Sequence, residues 1–121
     1  MMERVRRTVL IVDDHEGFRD AARALLEAEG FDVVGEAIDG REALIEAERL
    51  RPDVVLLDIQ LPDLDGFAVA DRLAAVAVPP AVVLTSSHDA ETYGVRLERV
   101  PSSGFLAKRE LSGAALAGLL G

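Results

Sequence analysis

Five short apolar runs recur along the chain, at residues 8–12, 32–35, 54–57, 81–84 and 104–107. They are rich in β-branched residues and too short for helices, as expected of strands buried on both faces. The segments between them carry helical spacing. In the first, Phe18, Ala22 and Leu25 set a stripe that runs on to Glu29, and Gly30 then stops the helix. Asp39 is an N-cap for the second, with Glu42 as capping-box partner and Ala43, Ala47 and Leu50 facing inward, and Pro52 prevents continuation. Gly66 opens the third, where Val69, Leu73 and Val76 are spaced for burial, and Pro79-Pro80 closes it. Residues 90–100 make a poor helix, with Tyr93-Gly94-Val95 in the middle and Pro101 close behind. Residues 111–121 carry no charge; Leu111, Ala115 and Leu119 are placed to face the sheet, which leaves Leu116 and Leu120 near the opposite side. That outward pair predicts a homodimer or partner interface on the last helix.

Strand and helix alternate throughout, so the expected class is α/β, a parallel sheet with helices on both faces. No linker, low-complexity tract or internal repeat interrupts the pattern, and residues 1–121 are expected to form one domain. In such sheets ligands sit at the carboxyl ends of the strands. Residues just after each strand should therefore converge.

Reading those strand ends in order gives Asp13-Asp14, Asp58, Thr85-Ser86 and Lys108. Three carboxylates in one pocket repel, and some protonate unless a cation neutralises them. A hard dication with oxygen ligands answers this, and Mg²⁺ is usually held by one or two carboxylates, waters and a phosphate. Asp58 ends the most apolar strand, which fixes its carboxylate rigidly, and the loop after it can bring the Gln60 backbone carbonyl to the same metal. A carboxylate so placed can attack a phosphoryl group. Lys108 and the metal would neutralise the equatorial oxygens, and the Thr85 hydroxyl can donate to one of them.

Composition narrows the rest. Half the residues are apolar, enough for a core, while a formal charge of −9 and a pI near 4.6 argue against a nucleic-acid-binding surface. There are no cysteines, which excludes disulfides and thiolate sites. Arg4, Arg6 and Arg7 precede an apolar stretch as in a signal peptide, but Asp13 and Asp14 break it far short of a membrane span, so a soluble cytoplasmic protein is expected. His15 and His88 read as solvated residues, because one lone imidazole makes no Zn²⁺ site. Asp63 and Asp65 read as turn-shaping residues before Gly66.

The motifs Val-Leu-Ile-Val-Asp13-Asp14, Val-Val-Leu-Leu-Asp58 with Pro62 and Asp65-Gly66, Val-Val-Leu-Thr85-Ser86 and Gly104-Phe105-Leu-Ala-Lys108 together resemble the receiver domains of two-component response regulators. The similarity spans essentially the whole chain. Residues 31–44 are most similar to receivers fused to LuxR-type helix-turn-helix domains, though no such DNA-binding segment is found within these 121 residues. The resemblance implies a flavodoxin-like (βα)₅ fold with strand order 2-1-3-4-5, Mg²⁺ at Asp13, Asp14, Asp58 and the Gln60 carbonyl, and Asp58 as phosphoacceptor. It also implies Lys108 as the phosphate-pairing lysine, Thr85 and Phe105 as switch residues, and Gln60 and Ser87 as positions influencing dephosphorylation. The implied partners are a histidine kinase or phosphotransfer protein and a separate effector. The implied role is an acceptor with at most slow autodephosphorylation, not an enzyme. A pseudo-receiver interaction module and a small aspartyl-phosphate phosphohydrolase are the alternatives. Two positions depart from the family. Arg109 stands where a Pro with a cis bond is usual, predicting a trans peptide with a shifted loop or local strain. Phe105 stands where Tyr is common.

Overall fold

The apolar runs assemble into one five-stranded parallel sheet of order β2-β1-β3-β4-β5. The computed structural model describes residues 6–121, so Arg4 lies outside the described residues. The strands are β1 (Thr8–Val12), β2 (Asp32–Ala37), β3 (Val54–Asp58), β4 (Ala81–Ser86) and β5 (Gly104–Ala107). The helices are α1 (Glu16–Ala28), α2 (Gly40–Leu50), α3 (Gly66–Ala74), α4 (Val95–Arg99) and α5 (Gly113–Leu120). Side chains of alternate parity along each strand feed two separate cores, as the period of two requires. Val9, Ile11, Leu56 and Val83 pack under α1 and α5, whereas Leu10, Val55, Leu57 and Leu84 pack under α2, α3 and α4. β3 is buried at every position, which explains its unbroken apolar character.

The helix boundaries follow their caps. Asp39 caps α2 by accepting from the Glu42 amide at 2.8 Å, and Ala43 and Ala47 are buried beneath it. Glu42 reaches back one residue further than a capping box predicts, accepting from the Ile38 amide at 3.2 Å. Asp65 caps α3 by accepting from the Phe67 amide at 2.7 Å. Asp63 does more than shape its turn. Its carboxylate crosses to the N-terminus of α2, accepting from Gly40 at 2.7 Å and Arg41 at 2.9 Å. Orphan amides at a helix start favour such an anion. Although partial desolvation opposes it, these bonds hold the Asp63 carboxyl below its ordinary pKa.

Three expectations are corrected. Val76 is exposed, because α3 ends at Ala74 and Val76 lies beyond the last turn. In α1 Ala22 is buried and Phe18 and Leu25 pack against the core as expected, but Leu26 is the second fully buried position, while Glu29 is exposed and accepts from the Gly113 amide. Leu116 does not face outward. It is fully buried in the core under α1 and α5, with Leu119 and Leu120 packed beside it. A helix of this composition gives almost no amphipathic signal, so its phase is set by tertiary contacts: Gly113 lies against Glu29, and Gly104 against Leu119. The outward residues are Ala114, Ala117 and Gly118, and of the apolar pair that suggested a homodimer on this helix Leu116 is buried and Leu120 half-buried against the core. No helix among the described residues is long and apolar enough to cross a membrane.

Burial of Leu116 has a measurable consequence. Leu116→Ala is expected to lower the unfolding free energy by about 2–5 kcal/mol in urea denaturation. A loss below about 0.5 kcal/mol, the range of surface substitutions, would restore the outward-facing assignment.

Candidate functional site

The carboxyl ends of β1, β3, β4 and β5 meet at one edge of the sheet, because parallel neighbours end together there. Asp13 follows β1 and is wholly buried, and Asp58 is the last residue of β3, only 3% exposed. Between them stands Lys108, directly after β5. Its Nζ lies 2.6 Å from Asp13 Oδ2, an ion pair too bent to count as a hydrogen bond, and 3.4 Å from Asp58 Oδ2, to which it donates. Phe18, from the first turn of α1, covers the same ammonium with its ring centroid at 4.7 Å. Asp14, more exposed, completes the acidic group. Asp14, His15, Asp58, Gln60, Ser87 and Lys108 line a cavity of about 300 Å³ that opens to solvent.

Electrostatics follow from this crowding. Burial, and after it the charge of Asp13, push the Asp58 carboxyl up from 3.8 to about 6, against the pull of the Gln60 amide and Lys108. Burial pulls Lys108 down, but Asp13 and Asp58 outweigh it, so its ammonium titrates above the usual lysine value. The site is short of positive charge, and its nearest donors are carboxylate oxygens. That donor set fits a hard dication such as Mg²⁺, which Asp13, Asp14, Asp58 and the carbonyl of Gln60 would hold.

Supports outside the pocket fix these groups. The backbone amide of His15 donates to Asp13 Oδ1 at 2.9 Å, and Arg19 donates to the Asp13 carbonyl at 2.9 Å. The N-cap position of α1 is His15, so the acidic pair does not serve as a helix cap. Arg19 and Arg23 clamp Glu36 at 3.0 and 2.8 Å, outweighing its desolvation and holding its carboxyl below the usual range. The loop after Asp58 is held by the Gln60 amide on Asp58 Oδ1 at 3.1 Å and by Asp63 on α2. It also passes tightly over Gly66, where a Cβ would stand 2.6 Å from the Asp58 carbonyl oxygen and 2.6 Å from the Ile59 Cα.

The remaining expected residues occupy a second tier. Thr85 pairs with Asp58 across β3 and β4, is fully buried, and its hydroxyl has no hydrogen-bond partner. Phe105 is half-buried on the opposite face of the sheet, its ring 6.2 Å from that of Tyr93. Tyr93 in turn meets Phe67 edge-on at 5.8 Å, and its hydroxyl lies 2.6 Å from Ser86 Oγ. The peptide after Lys108 is trans, as one of the two expected outcomes, and residues Lys108–Glu110 form a 3-10 turn. Arg109 there pairs with Asp89 across the mouth of the β4–α4 loop.

His15 is solvated as expected, its side chain 71% exposed, but its Nδ1 also lies 3.2 Å from both Asp13 Oδ1 and Asp14 Oδ1, a contact that sequence reasoning missed. The Ser86–Tyr93 and Asp63–Gly40 bonds were missed as well, since both join residues remote from any motif.

A doubly wound parallel sheet with an acidic pair, a lone aspartate and a lysine gathered at its strand ends defines a class of flavodoxin-like signalling modules. Residues 9–117 match the response regulator receiver domain, and the chain belongs to that family. It is 41% identical over 102 residues to the positive alginate biosynthesis regulatory protein of Pseudomonas aeruginosa, covering 83% of this chain and 40% of that protein. It is 37% identical over 103 residues to the transcriptional regulatory protein PdtaR of Mycobacterium tuberculosis, covering 85% and 48% respectively. The chain thus spans about half or less of these relatives' length. Among solved structures, the receiver domain of the response regulator NarL from Mycobacterium tuberculosis superposes with a TM-score of 0.84 at 35% identity, covering 98% of this chain and 99% of that one. A LuxR-family two-component response regulator from Aurantimonas sp. gives 0.84 at 26% identity, with coverages of 96% and 86%. The strand order and the helices between the strands are those of this fold.

Two outcomes are expected. Because the folded chain keeps a proton on Asp58 between 3.8 and about 6 that the unfolded chain releases, its contribution favours folding in acid and is lost as pH rises through about 6. Asp58→Asn should therefore raise stability by about 1–3 kcal/mol at pH 7 in metal-free buffer, with the gain fading below about pH 4 in urea titrations. Gly66→Ala should cost about 2–3 kcal/mol or more, since backbone, not a flexible side chain, meets the added methyl; thermal denaturation checks it.

Proposed function

We propose that this receiver takes a phosphoryl group onto Asp58, from the phosphohistidine of a histidine kinase or phosphotransfer protein, with Mg²⁺ as cofactor. The observation that carries this reading is Lys108 Nζ shared between Asp13 Oδ2 at 2.6 Å and Asp58 Oδ2 at 3.4 Å, at the floor of an open cavity. A carboxylate held there has one side facing solvent, where a donor can present its phosphorus. The oxygen of Asp58 attacks, the P–N bond of the donor breaks, and the imidazole leaves with the electron pair and takes up a proton. When bound, Mg²⁺ supplies charge neutralisation for the phosphoryl oxygens. Lys108 stays paired with Asp13 and swings its remaining donors toward the new phosphoryl group.

Signal output draws on Thr85 and Phe105. The buried Thr85 hydroxyl lacks a partner in this state and gains one by donating to a phosphoryl oxygen. Its movement is transmitted along β4 to Ser86, whose Oγ lies 2.6 Å from the Tyr93 hydroxyl on the other face, and so biases the packing of Tyr93, Phe105 and α4. The receiver, taken as one unit, passes the signal in the cytoplasm to an effector, without contacting nucleic acid or membrane itself. It acts as an acceptor with at most slow loss of phosphate, a lifetime to which Gln60 and Ser87 at the cavity wall contribute.

Acetyl phosphate with Mg²⁺ is expected to add one phosphoryl group per chain by intact mass spectrometry, and beryllofluoride to give a matching adduct. Asp58→Asn should abolish both. No adduct on the wild type would leave a pseudo-receiver, an equal adduct on the variant would place acceptance elsewhere, and multiple turnovers of a phosphate ester would favour the phosphohydrolase.

A further inference from the structure

Phe18 serves two neighbours. It lies on the apolar stripe of α1, half-buried, and packs beside the core under α1 and α5. The Lys108 ammonium sits over its ring, with Nζ 4.7 Å from the ring centroid. That ammonium is also 2.6 Å from Asp13 Oδ2 and 3.4 Å from Asp58 Oδ2, and the lysine side chain is only 14% exposed. Two carboxyl groups and one aromatic face thus stand where water would otherwise hold the charge. An ammonium within about 6 Å of a ring centroid is attracted by the ring quadrupole, more strongly where water is excluded. We infer that Phe18 is a positioning residue for phosphoryl acceptance, its ring holding the Lys108 ammonium beside Asp58 while leaving the N–H groups free to turn.

The inference rests on the reading of Asp58 as acceptor and adds what steers its lysine. When the Asp58 oxygen attacks, Lys108 keeps Asp13 and must present a donor to the new phosphoryl group. A water or a carboxylate in the place of Phe18 would accept one of the three N–H groups and fix its direction. A ring face attracts the charge as a whole and claims no single N–H. The ring is placed by the turn that carries it. Its neighbour Arg19 donates to the Asp13 carbonyl at 2.9 Å and to Glu36 Oε1 at 3.0 Å, which ties the first turn of α1 to the ends of β1 and β2. Phe18 and Asp13 therefore reach Lys108 from one tethered segment.

Replacing Phe18 by mono-, di- and trifluorinated phenylalanine nearly keeps its outline and withdraws negative charge from the ring face by steps. In the whole chain, at fixed acetyl phosphate and saturating Mg²⁺, the initial rate of Asp58 phosphorylation by intact mass is expected to fall at each step, and by about fivefold or more in all. Phe18→Leu, which keeps apolar bulk without the ring, should fall at least as far. Mg²⁺ affinity by calorimetry should stay unchanged throughout. By NMR, the Lys108 Cε protons should be shifted by the ring current in the wild type and lose that shift in Phe18→Leu. A rate indifferent to fluorination, or Lys108 protons without a ring-current shift, would show that the ring only packs, and would overturn the inference while leaving the acceptor standing. A loss of Mg²⁺ affinity matching the loss of rate would place the effect on the metal and overturn it equally. A wild type that gains no phosphoryl group would remove the acceptor reading and the inference with it.

Discussion

The organising interaction is a single ammonium placed between two buried carboxylates. Lys108 joins the end of β5 to the ends of β1 and β3, and among the described residues it is the basic side chain that pairs with both buried carboxylates, Asp13 and Asp58. Withdrawing two anions from water costs several kcal/mol each unless an opposite charge compensates. The sheet order places β1 and β3 side by side, and β5 beyond β4, so the lysine must reach across the end of β4 to its acids. Thr85 and Ser86 occupy the end of β4 beneath it and are both fully buried. Charge balance is thus built into the topology, and it remains incomplete, because three acids face one base.

Around that centre, short polar tethers convert loops into fixed parts. Asp63 binds the loop after β3 to the start of α2, and Asp65 caps α3 while its other oxygen meets Arg96 of α4 at 2.5 Å. Arg96 also lies over the Phe67 ring at 4.2 Å. Phe67, Tyr93 and Phe105 then form a tilted aromatic series from α3 through Tyr93, two residues before α4, to β5. The hydroxyl that Phe105 lacks is supplied in the same layer by Tyr93, anchored on Ser86 one residue beyond Thr85. The acid site and the aromatic layer therefore share β4 as a common strut.

Strands were legible in the sequence because burial on both faces leaves continuous β-branched runs. β1 and β5 were placed at their full limits, and β2, β3 and β4 only ended one or two residues late. The extra residues are those that turn polar at the site, such as Asp58, Thr85 and Ser86, where apolar character ceases before pairing does. Asp13, Asp14, Asp58, Thr85 and Lys108 were legible for the same reason, as polar groups at apolar strand ends. Helix phase was less so. In α5 nearly every residue is apolar or small, so periodicity cannot choose between Leu116 and its neighbours, and the close approach of Gly104 to Leu119 decides. Val76 was misread because the stripe of α3 continues in sequence past the point where the helix stops. His15 is solvated and Asp63 shapes its turn as expected, but their further partners were not legible because folded geometry sets them: one by the turn after β1, the other by a helix more than twenty residues away.

The break between residues 92 and 95 has one more consequence. Gly94 adopts φ 56° and ψ −129°, splitting the segment into a 3-10 turn, Ala90–Thr92, and a helix of five residues with no buried member. Few of its amides lie in a cooperative ladder, and Val95 is exposed. Among the described residues the region is therefore expected to be weakly protected, exchanging its amide hydrogens through small local openings, while those of β1 and β3 wait for global unfolding. A stretch that already opens at little cost lets a modest local event be amplified, because the barrier to rearranging it is set by a few side chains rather than by the whole core.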